Sequence, residues 1–191
     1  MKLIFATNNK HKLEEATNIL FENFEIVGMN EVGFLDEIVE NGSTIEENAS
    51  IKSWTVYKAL GLNCFADDTG LEIEALGGRP GVYSARYAGT ENNFAANIKK
   101  VLAELEHEEN RKARFRTAIS LILEGKEYLF EGVVNGEIMR KCAGNAGFGY
   151  DPIFRPDGFL ESFAELSPKE KNKISHRGRA LKKLSDFLNR K

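Results

Sequence analysis

Short strand-like segments alternate along this chain with longer segments of helical periodicity, and this order constrains the fold more than any other feature. Strands are predicted where apolar residues form short runs or alternate with polar ones between turn residues. A loop or a pair of strands is predicted for 24–42. The other predicted strands cover 2–6, 63–67, 71–76, 113–123, 127–134, 136–142 and 150–155.

Helices are predicted where apolar residues recur every three or four positions and capping residues mark the ends. Ser43 and Thr44 each have a glutamate three residues later, so either can begin the second helix, which should end at Gly61. The other helices are predicted over about 10–21, over about 91–106, after Ser167 and after Ser175. Helices mixed with strands in this order predict an α/β or α+β domain around a mixed sheet.

The length and composition are those of a folded globular protein. The 191 residues suffice for one domain, 1–191, or for two small lobes that share a cleft, and the 42% hydrophobic fraction is close to the globular average. No apolar run approaches the roughly 20 residues of a membrane span, and the first residues turn polar too early for a signal peptide. We therefore expect a cytoplasmic protein without membrane association.

The two cysteines, Cys64 and Cys142, lie far apart in the sequence and form no CxxC pair. Because the chain also has only three histidines, a zinc site built from cysteine and histidine is not expected. Both cysteines are expected to be buried, reduced thiols.

Charge is unevenly distributed, although the formal net charge is only −3. Ten acids and no lysine or arginine lie between Leu13 and Ile51, whereas seven basic residues and one acid lie between Lys169 and Lys183. Such segregation is usual for two solvated faces, and it also occurs in a cleft with a metal side and a phosphate side. The acidic balance argues against binding to the backbone of a nucleic acid polymer.

The segment 7–12 joins the first predicted strand to the first helix. The amino end of a helix carries partial positive charge and free N–H groups, so it favours acidic residues or bound anions. Residues 10–12 are basic instead, which indicates either an anion-binding turn or a solvated basic turn capped by Asn8 or Asn9. It is not a P-loop, because GxxxxGK[ST] is absent. The segment consists of Thr7, Asn8, Asn9, Lys10, His11 and Lys12.

Asp67 and Asp68 follow an apolar strand in the run Ala-Asp-Asp-Thr-Gly. Successive strand side chains alternate in direction, so one carboxylate can face a site while the other supports it. Oxygen-rich acidic sites suit Mg²⁺, which keeps several waters and also binds substrate phosphates. Glu40, Glu46 and Glu47 could supply further oxygens. The alternative is a turn with an aspartate cap.

A third motif, Gly147–Pro152, places aromatic residues and an aspartate between glycines, which let a backbone approach a ligand closely. Phe148 and Tyr150 offer flat faces for a base, and Asp151 can accept from a ring N–H. The alternative is a glycine turn with core aromatics.

A fourth motif combines Lys171 with Ser-His-Arg at 175–177, where basic residues again occupy the start of a helix against its dipole. Two such basic turns in one chain indicate anion binding more strongly than one. The alternative is a charged surface on the last helix.

The chain resembles the inosine triphosphate pyrophosphatase family (XTP/dITP diphosphatases) in Thr7–Lys12, in ADDTG with LGGRPGVYSARYAG behind it, in FGYDP and in EKNKISHR. These motifs occur in the family's order, from residue 3 to about 185. The resemblance implies an α/β fold with an elongated mixed central sheet flanked by helices, and two lobes around an active-site cleft. It also implies a homodimer that uses Mg²⁺ to hydrolyse ITP, dITP and XTP to the monophosphate and pyrophosphate.

The resemblance further implies roles for individual residues. Asp68 would be the general base and, with Glu40, a ligand of Mg²⁺. Asn8 stands where relatives often have glycine, and Thr69 where many bacterial relatives have serine. The implied phosphate contacts are Thr7, Asn9 and Lys12, within a substrate-binding set that also contains Asn8, Lys10, His11, Thr69, Phe148, Gly149, Tyr150, Asp151, Lys171, His176 and Arg177.

The implied selectivity has a physical reason. Hypoxanthine and xanthine carry O6 and N1–H, whereas adenine carries a 6-amino donor and an N1 acceptor. Donors to O6 such as Arg177 or His176, combined with an acceptor for N1–H, would reject adenine because buried polar groups would stay unpaired.

Three other functions fit parts of the pattern. A nucleotide sensor that has lost hydrolysis would keep the motifs. The retention of Glu40, Asp68 and Lys12 argues against this function. A pyrophosphatase of modified pyrimidines could have a similar cleft, but FGYDP and SHR favour purines. RNA binding by the basic C-terminal region is disfavoured, because that region lacks the aromatic platforms of single-strand binders.

Overall fold

The structure, a computed structural model, describes residues 1–20, 24–89 and 93–190. The last predicted residue of the first helix, 21, and the first predicted residues of the third, 91 and 92, lie outside the described residues. The chain forms two compact units. Unit 1 comprises Met1–Asp68, Thr117–Gly132 and Arg177–Lys191, and unit 2 comprises Thr69–Arg116 and Val133–His176.

The described residues form seven strands, which make up one mixed sheet, and five α-helices. The strands are β1 (Lys2–Phe5), β2 (Glu25–Gly28), β3 (Cys64–Ile73), β4 (Pro80–Gly81), β5 (Lys112–Leu123), β6 (Lys126–Ile138) and β7 (Phe154–Pro156). The helices are α1 (Lys10–Leu20), α2 (Ile45–Leu60), α3 (Phe94–Glu104), α4 (Pro168–Ile174) and α5 (His176–Leu188).

The strand order is β2-β1-β3-β5-β6-β7, and β4 pairs with β3 outside this path. β1 is parallel to both β2 and β3, whereas β4 is antiparallel to β3 and β7 is antiparallel to β6. The predicted α/β class with a mixed sheet flanked by helices is therefore confirmed.

The core of unit 1 is formed by apolar residues of β1, β3 and the second half of β5, packed against residues of α1, α2 and α5. Phe5 and Phe65, on adjacent parallel strands, stack with ring centroids 4.3 Å apart. Removing such rings from water stabilises the fold by about 1.5–3 kcal/mol each. The last helix, α5, packs into this core through Ala180, Leu181, Leu184 and Leu188, which are all buried.

The core of unit 2 contains an aromatic cluster from β5, β7 and the segment after β7. Phe115 packs edge-on against Phe154 at a centroid distance of 4.7 Å, and Phe163 lies 5.1 Å from Phe154. Val101 of α3 and Leu105, which follows its last residue, also belong to this core.

The strands predicted at 63–67 and 71–76 are instead one continuous strand, β3, and residues 74–76 form a 3₁₀ helix. Gly70 does not break the strand, because the absence of a side chain lets β4 pair alongside. A Cβ at Gly70 would lie 2.9 Å from the Gly81 carbonyl oxygen. Asp67 and Asp68 therefore lie inside a strand rather than at its end, and the alternative of an aspartate-capped turn is wrong.

Three other predicted segments differ in the structure. The separate strand predicted at 136–142 is wrong, because β6 continues to Ile138 and then ends. The segment 150–155 is a 3₁₀ helix, Asp151–Ile153, followed by the short β7. The segment 24–42 contains one strand, β2, and a 3₁₀ helix at Met29–Val32.

The predicted helix ends agree well with the structure. Thr44 rather than Ser43 caps α2, since its side chain accepts from the Glu47 N–H, and Gly61 ends the helix with φ +66°. The helix predicted after Ser167 is α4, and Ser167 and Glu170 form a capping box at its start. No helix in the described ranges is both long and apolar enough to cross a membrane.

The cysteines differ from each other, so the prediction of two buried thiols is half wrong. Cys64 is fully buried in β3 and its Sγ donates to the Ser53 carbonyl at 3.2 Å, whereas Cys142 is exposed in the irregular segment after β6. Burial raises the pKa of Cys64 to about 12.

Native protein is therefore expected to react with Ellman's reagent at one thiol per chain at pH 8, because the thiolate is the reactive species and only Cys142 is accessible. The second thiol should react only after denaturation. A Cys142→Ser variant is the control and should show no fast reaction; two fast thiols in the wild type would contradict the buried position of Cys64.

Candidate active site

The segment 7–12 connects β1 to α1 and is organised by the side chain of Asn9. The Asn9 Oδ1 accepts from the Lys12 N–H at 3.2 Å, and the Asn9 N–H donates to Thr7 Oγ1 at 3.1 Å. Asn9, one of the two predicted caps, thus caps α1, whose first turn contains no acid. Asn8, Lys10 and His11 are exposed, whereas Thr7 and Lys12 are half-buried.

Asp67 lies at the centre of a buried charge cluster in unit 1. Its Oδ1 accepts from Lys12 Nζ at 3.0 Å and its Oδ2 from Arg177 Nε at 2.8 Å. Arg177 also donates through Nη1 to Glu15 Oε2 at 2.5 Å. β3, α1 and α5 each contribute to the cluster, which consists of Lys12, Glu15, Asp67 and Arg177.

Burial and the neighbouring charges shift the pKa values of three members of this cluster. Burial alone would raise the pKa of Asp67, but the Lys12 and Arg177 charges hold it well below its ordinary value. The pKa of Arg177 is raised because Asp67 and Glu15 outweigh its burial. The pKa of Lys12 is lowered, chiefly by burial and also by the nearby Lys52 and Arg177. Lys12 and Arg177 accordingly favour the ionised form of the Asp67 carboxyl.

Asp68, the next residue along β3, has different partners. Its Oδ2 accepts from Asn48 Nδ2 at 3.2 Å, and its Oδ1 lies 3.6 Å from Lys52 Nζ. Lys52 also donates to Glu40 Oε2 at 2.6 Å. The prediction that the side chains of the two aspartates point in different directions is therefore confirmed. Lys52, on α2, contacts both Glu40 and Asp68 through its ammonium group.

The pKa of Asp68 shifts in the opposite direction to that of Asp67. Burial raises the pKa of Asp68, and the nearby Lys52 and Lys12 offset this only in part. The pKa of Lys52 is itself raised, because Asp68 and Glu40 outweigh the effect of its burial. Two adjacent carboxylates whose environments push their pKa values apart are typical of a division between a base and a fixed charge.

The donor set around Lys52 suits a magnesium ion. Glu40 and Asp68 present hard carboxylate oxygens that already converge on one cation, the Lys52 ammonium. Within the described ranges, no group of three or more His, Cys, Asp or Glu side chains is placed to hold a metal. Mg²⁺ is commonly bound by one or two carboxylates together with substrate phosphates, so two carboxylates fit this ion.

The predicted base-binding residues of the third motif lie in unit 2. Asp151 is buried, and its Oδ2 accepts from Lys171 Nζ at 2.7 Å and from the Phe148 N–H at 2.9 Å. The Lys171 ammonium lies 5.0 Å from the centre of the Phe148 ring. Gly147 has φ +74°, and a Cβ there would lie 2.1 Å from Asp151 Oδ2, so only glycine fits beside this carboxylate.

Other predicted residues of unit 2 have core positions. Tyr150 is 5% exposed and donates its hydroxyl to the Ser84 carbonyl at 2.7 Å. His176 is buried and stacks on Phe115 at a centroid distance of 4.5 Å. Thr69 is half-buried in β3, and Gly149 is half-buried with φ +63°.

Three residues of the site were missed from the sequence: Asn48, Lys52 and Glu15. Lys52 had a detectable signal, because it lies on the same helical face as the buried Ile45, Ala49 and Val56, where a lysine is rarely found without a partner. Glu47 was expected as a further metal ligand. Its Oε2 instead accepts from the Ser43 N–H at 2.6 Å and from the Ser43 hydroxyl at 2.7 Å.

Comparison with known proteins identifies the relatives of this chain. A dITP/XTP pyrophosphatase of Porphyromonas gingivalis is 52% identical over 188 residues, covering 98% of this chain and 97% of that protein. Another, of Christiangramia forsetii, is 49% identical over 190 residues and covers both chains completely.

Solved structures agree with these sequence relatives. A HAM1 protein from Coxiella burnetii is 41% identical with a TM-score of 0.92, covering 100% of both chains. A nucleoside-triphosphatase (dITP/XTP pyrophosphatase) from Mycobacterium abscessus is 45% identical with a TM-score of 0.77, covering 96% of this chain and 98% of that one. The Ham1 family profile matches residues 3–187, and the chain therefore belongs to the Ham1 family.

Proposed function

We propose that this protein cleanses the nucleotide pool by hydrolysing ITP, dITP and XTP to the monophosphate and pyrophosphate, using Mg²⁺ and Asp68. The enzyme class rests on full-length relatives: dITP/XTP pyrophosphatases match at 49–52% identity along almost the entire chain. This protein is accordingly a hydrolase of deaminated purine nucleoside triphosphates. The metal and the residue roles are our own assignments.

The observation that carries the assignment is the different bonding of the two adjacent aspartates. Both oxygens of Asp67 are held by cationic side chains, at 3.0 Å and 2.8 Å. Asp68 instead accepts from the neutral amide of Asn48 and lies 3.6 Å from Lys52. Asp67 is therefore suited to holding Lys12 and Arg177 in place, and Asp68 to accepting a proton.

In the proposed reaction, water attacks the α-phosphorus and the bond to the β-phosphate oxygen breaks, releasing pyrophosphate. Asp68 orients this water and takes its proton, as a general base must. Lys12 and Lys52 place positive charge near the same carboxylate, where they would offset charge on the triphosphate. Thr7 and Asn9, which shape the start of α1, are assigned to phosphate contacts together with Lys12. The exposed Asn8, Lys10 and His11 are assigned to the wider substrate-binding set.

Glu40 and Asp68 would hold the magnesium ion. When bound, Mg²⁺ would neutralise triphosphate charge and polarise the phosphoryl oxygens. The convergence of both carboxylates on Lys52 Nζ supports this assignment, because it shows that a cation is stabilised between them.

For the base, we assign contacts to Phe148 and Gly149, with Thr69, Lys171, His176 and Arg177 completing the nucleotide contacts. The Asp151–Lys171 ion pair at 2.7 Å supports a structured purine site, because it fixes the backbone N–H of Phe148. Tyr150 and Asp151 are buried, and we assign them to the base pocket partly because they shape the 147–151 turn. A homodimer and a cytoplasmic location, which the resemblance implies, are also part of the proposal.

The decisive experiment is a pyrophosphate-release assay with Mg²⁺, comparing ITP, XTP and dITP with ATP, GTP and pyrimidine triphosphates, while orthophosphate is followed in parallel. We expect pyrophosphate from the deaminated purines and little from ATP, with a discrimination up to about 10⁴-fold. Release of orthophosphate would place the cleavage at a different bond. Nucleotide binding without any turnover would favour the sensor instead.

A further inference from the structure

Asn48 makes two side-chain hydrogen bonds that join separate parts of the proposed metal site. Its Nδ2 donates to Asp68 Oδ2 at 3.2 Å, and its Oδ1 accepts from the Gly42 N–H at 2.9 Å. Asn48 is 1% exposed and lies on the buried face of α2. A buried amide that uses both of its ends in this way fixes the distance between its two partners.

Gly42 lies two residues after Glu40, so the hydrogen bond to its N–H restrains the segment that carries this carboxylate. The contact is close: a Cβ at Gly42 would lie 2.7 Å from Asn48 Oδ1 and 2.8 Å from the Glu47 Cβ. Only a residue without a side chain therefore reaches this position. The close approach shows how tightly the segment packs against the start of α2 at this hydrogen bond.

Lys52 lies one helical turn after Asn48 and contacts the same two elements, through Glu40 at 2.6 Å and Asp68 at 3.6 Å. An ammonium group and a metal ion, however, compete for the same carboxylate oxygens. A cation that takes over the oxygens of Glu40 and Asp68 would weaken the link through Lys52, whereas Asn48 bonds to Gly42 and to Asp68 without carrying charge. Asn48 can hold the arrangement while the cation is exchanged.

We propose that Asn48 is a positioning residue that holds Glu40 and Asp68 at the separation required to bind a divalent cation. This inference rests on the proposed function, since it deepens the assignment of the metal site. Hydrogen-bonding partners of metal-binding carboxylates typically change metal affinity by about 10- to 100-fold when they are removed.

The first test is Asn48→Leu, an apolar replacement of similar size that removes both hydrogen bonds. Its matched control is Asn97→Leu, because Asn97 is equally buried and also clamps a loop to a helix, through the Ala88 N–H at 2.8 Å and the Ala85 carbonyl at 3.1 Å. The probe is Mn²⁺, whose binding is followed by electron paramagnetic resonance in the presence of an uncleavable α,β-methylene analogue of ITP. Melting temperatures are measured in parallel.

Both variants should melt at lower temperature, but only Asn48→Leu should weaken Mn²⁺ binding, by about 10- to 100-fold. Raised Mg²⁺ should largely restore the turnover of ITP by Asn48→Leu, because the metal-binding carboxylates are displaced rather than removed. Mn²⁺ binding equal to that of Asn97→Leu would overturn the inference and assign Asn48 to stability alone.

Gly42→Ala tests the same link from its other side and guards against misfolding of Asn48→Leu. The added Cβ should push the Glu40 segment away from Asn48 and weaken Mn²⁺ binding in the same sense. Gly89→Ala is the control, because a Cβ there would meet no atom of the described residues within 4 Å. Unchanged Mn²⁺ binding in Gly42→Ala would contradict the inference.

The two proposals fail in different ways. A wild-type protein that binds Mn²⁺ with the ITP analogue but releases no pyrophosphate from ITP would overturn the proposed function. Weaker Mn²⁺ binding by Asn48→Leu would still support the positioning role in that case.

Discussion

Asp68→Asn is expected to lower the turnover of ITP by about 100- to 10,000-fold, because it removes the proposed general base. The amide is similar in size and can still accept from Asn48, so the fold should be retained. Turnover is measured as pyrophosphate release at saturating Mg²⁺, and the fold is checked by circular dichroism and melting temperature. Raised Mg²⁺ should not restore activity, in contrast to Asn48→Leu.

Asp157→Asn is the matched control, since Asp157 is an exposed aspartate in unit 2. It should leave pyrophosphate release unchanged. Near-normal activity of Asp68→Asn would remove Asp68 from the catalytic role, and Asp67 would then be the next carboxylate to examine.

Asp67→Asn is expected to lower the free energy of unfolding by about 3–5 kcal/mol, because it leaves the charges of Lys12 and Arg177 buried without their common partner. The Asp67 and Arg177 side chains are only 1% and 3% exposed, and that of Lys12 is 14% exposed. Urea denaturation followed by far-ultraviolet circular dichroism measures the loss. Activity should fall as well, since Lys12 would no longer be held in place.

Glu109→Gln provides the comparison for this variant. Glu109 pairs with Arg140 at 3.0 Å, but the two side chains are 90% and 57% exposed. Exposed ion pairs contribute about 0–1 kcal/mol, so this substitution should hardly change the denaturation midpoint. Equal effects of the two substitutions would show that the Asp67 cluster does not stabilise unit 1.

The local patterns that predicted helices were largely correct because capping is a short-range property. Thr44, Gly61 and Ser167 act within one helical turn of their own position, so the spacing in the sequence suffices. Strand boundaries were less predictable. Whether Gly70 ends a strand depends on the close approach of Gly81, which lies outside any local window.

The same distinction applies to the active site. The alternation of side chains along a strand correctly predicted that Asp67 and Asp68 face different partners, since that alternation is a property of the backbone. Their roles could not be derived from local sequence, because Arg177 lies 110 residues from Asp67 in the chain. Asn48 and Lys52 were missed for the same reason: only the packing of α2 brings them to Glu40 and Asp68.

The sequence by itself determined that helices and strands mix around one sheet, the candidate helix caps and, through four ordered motifs, the resemblance to a pyrophosphatase family. These features depend on periodicity, on short-range capping and on residue identity, all of which can be read along the chain. The tertiary structure alone decided which aspartate is neutralised by cations, which glutamate shares Lys52 with Asp68, and which cysteine is buried. Such properties arise from burial and from charges brought together across long stretches of sequence, and local patterns contain no information about those distances.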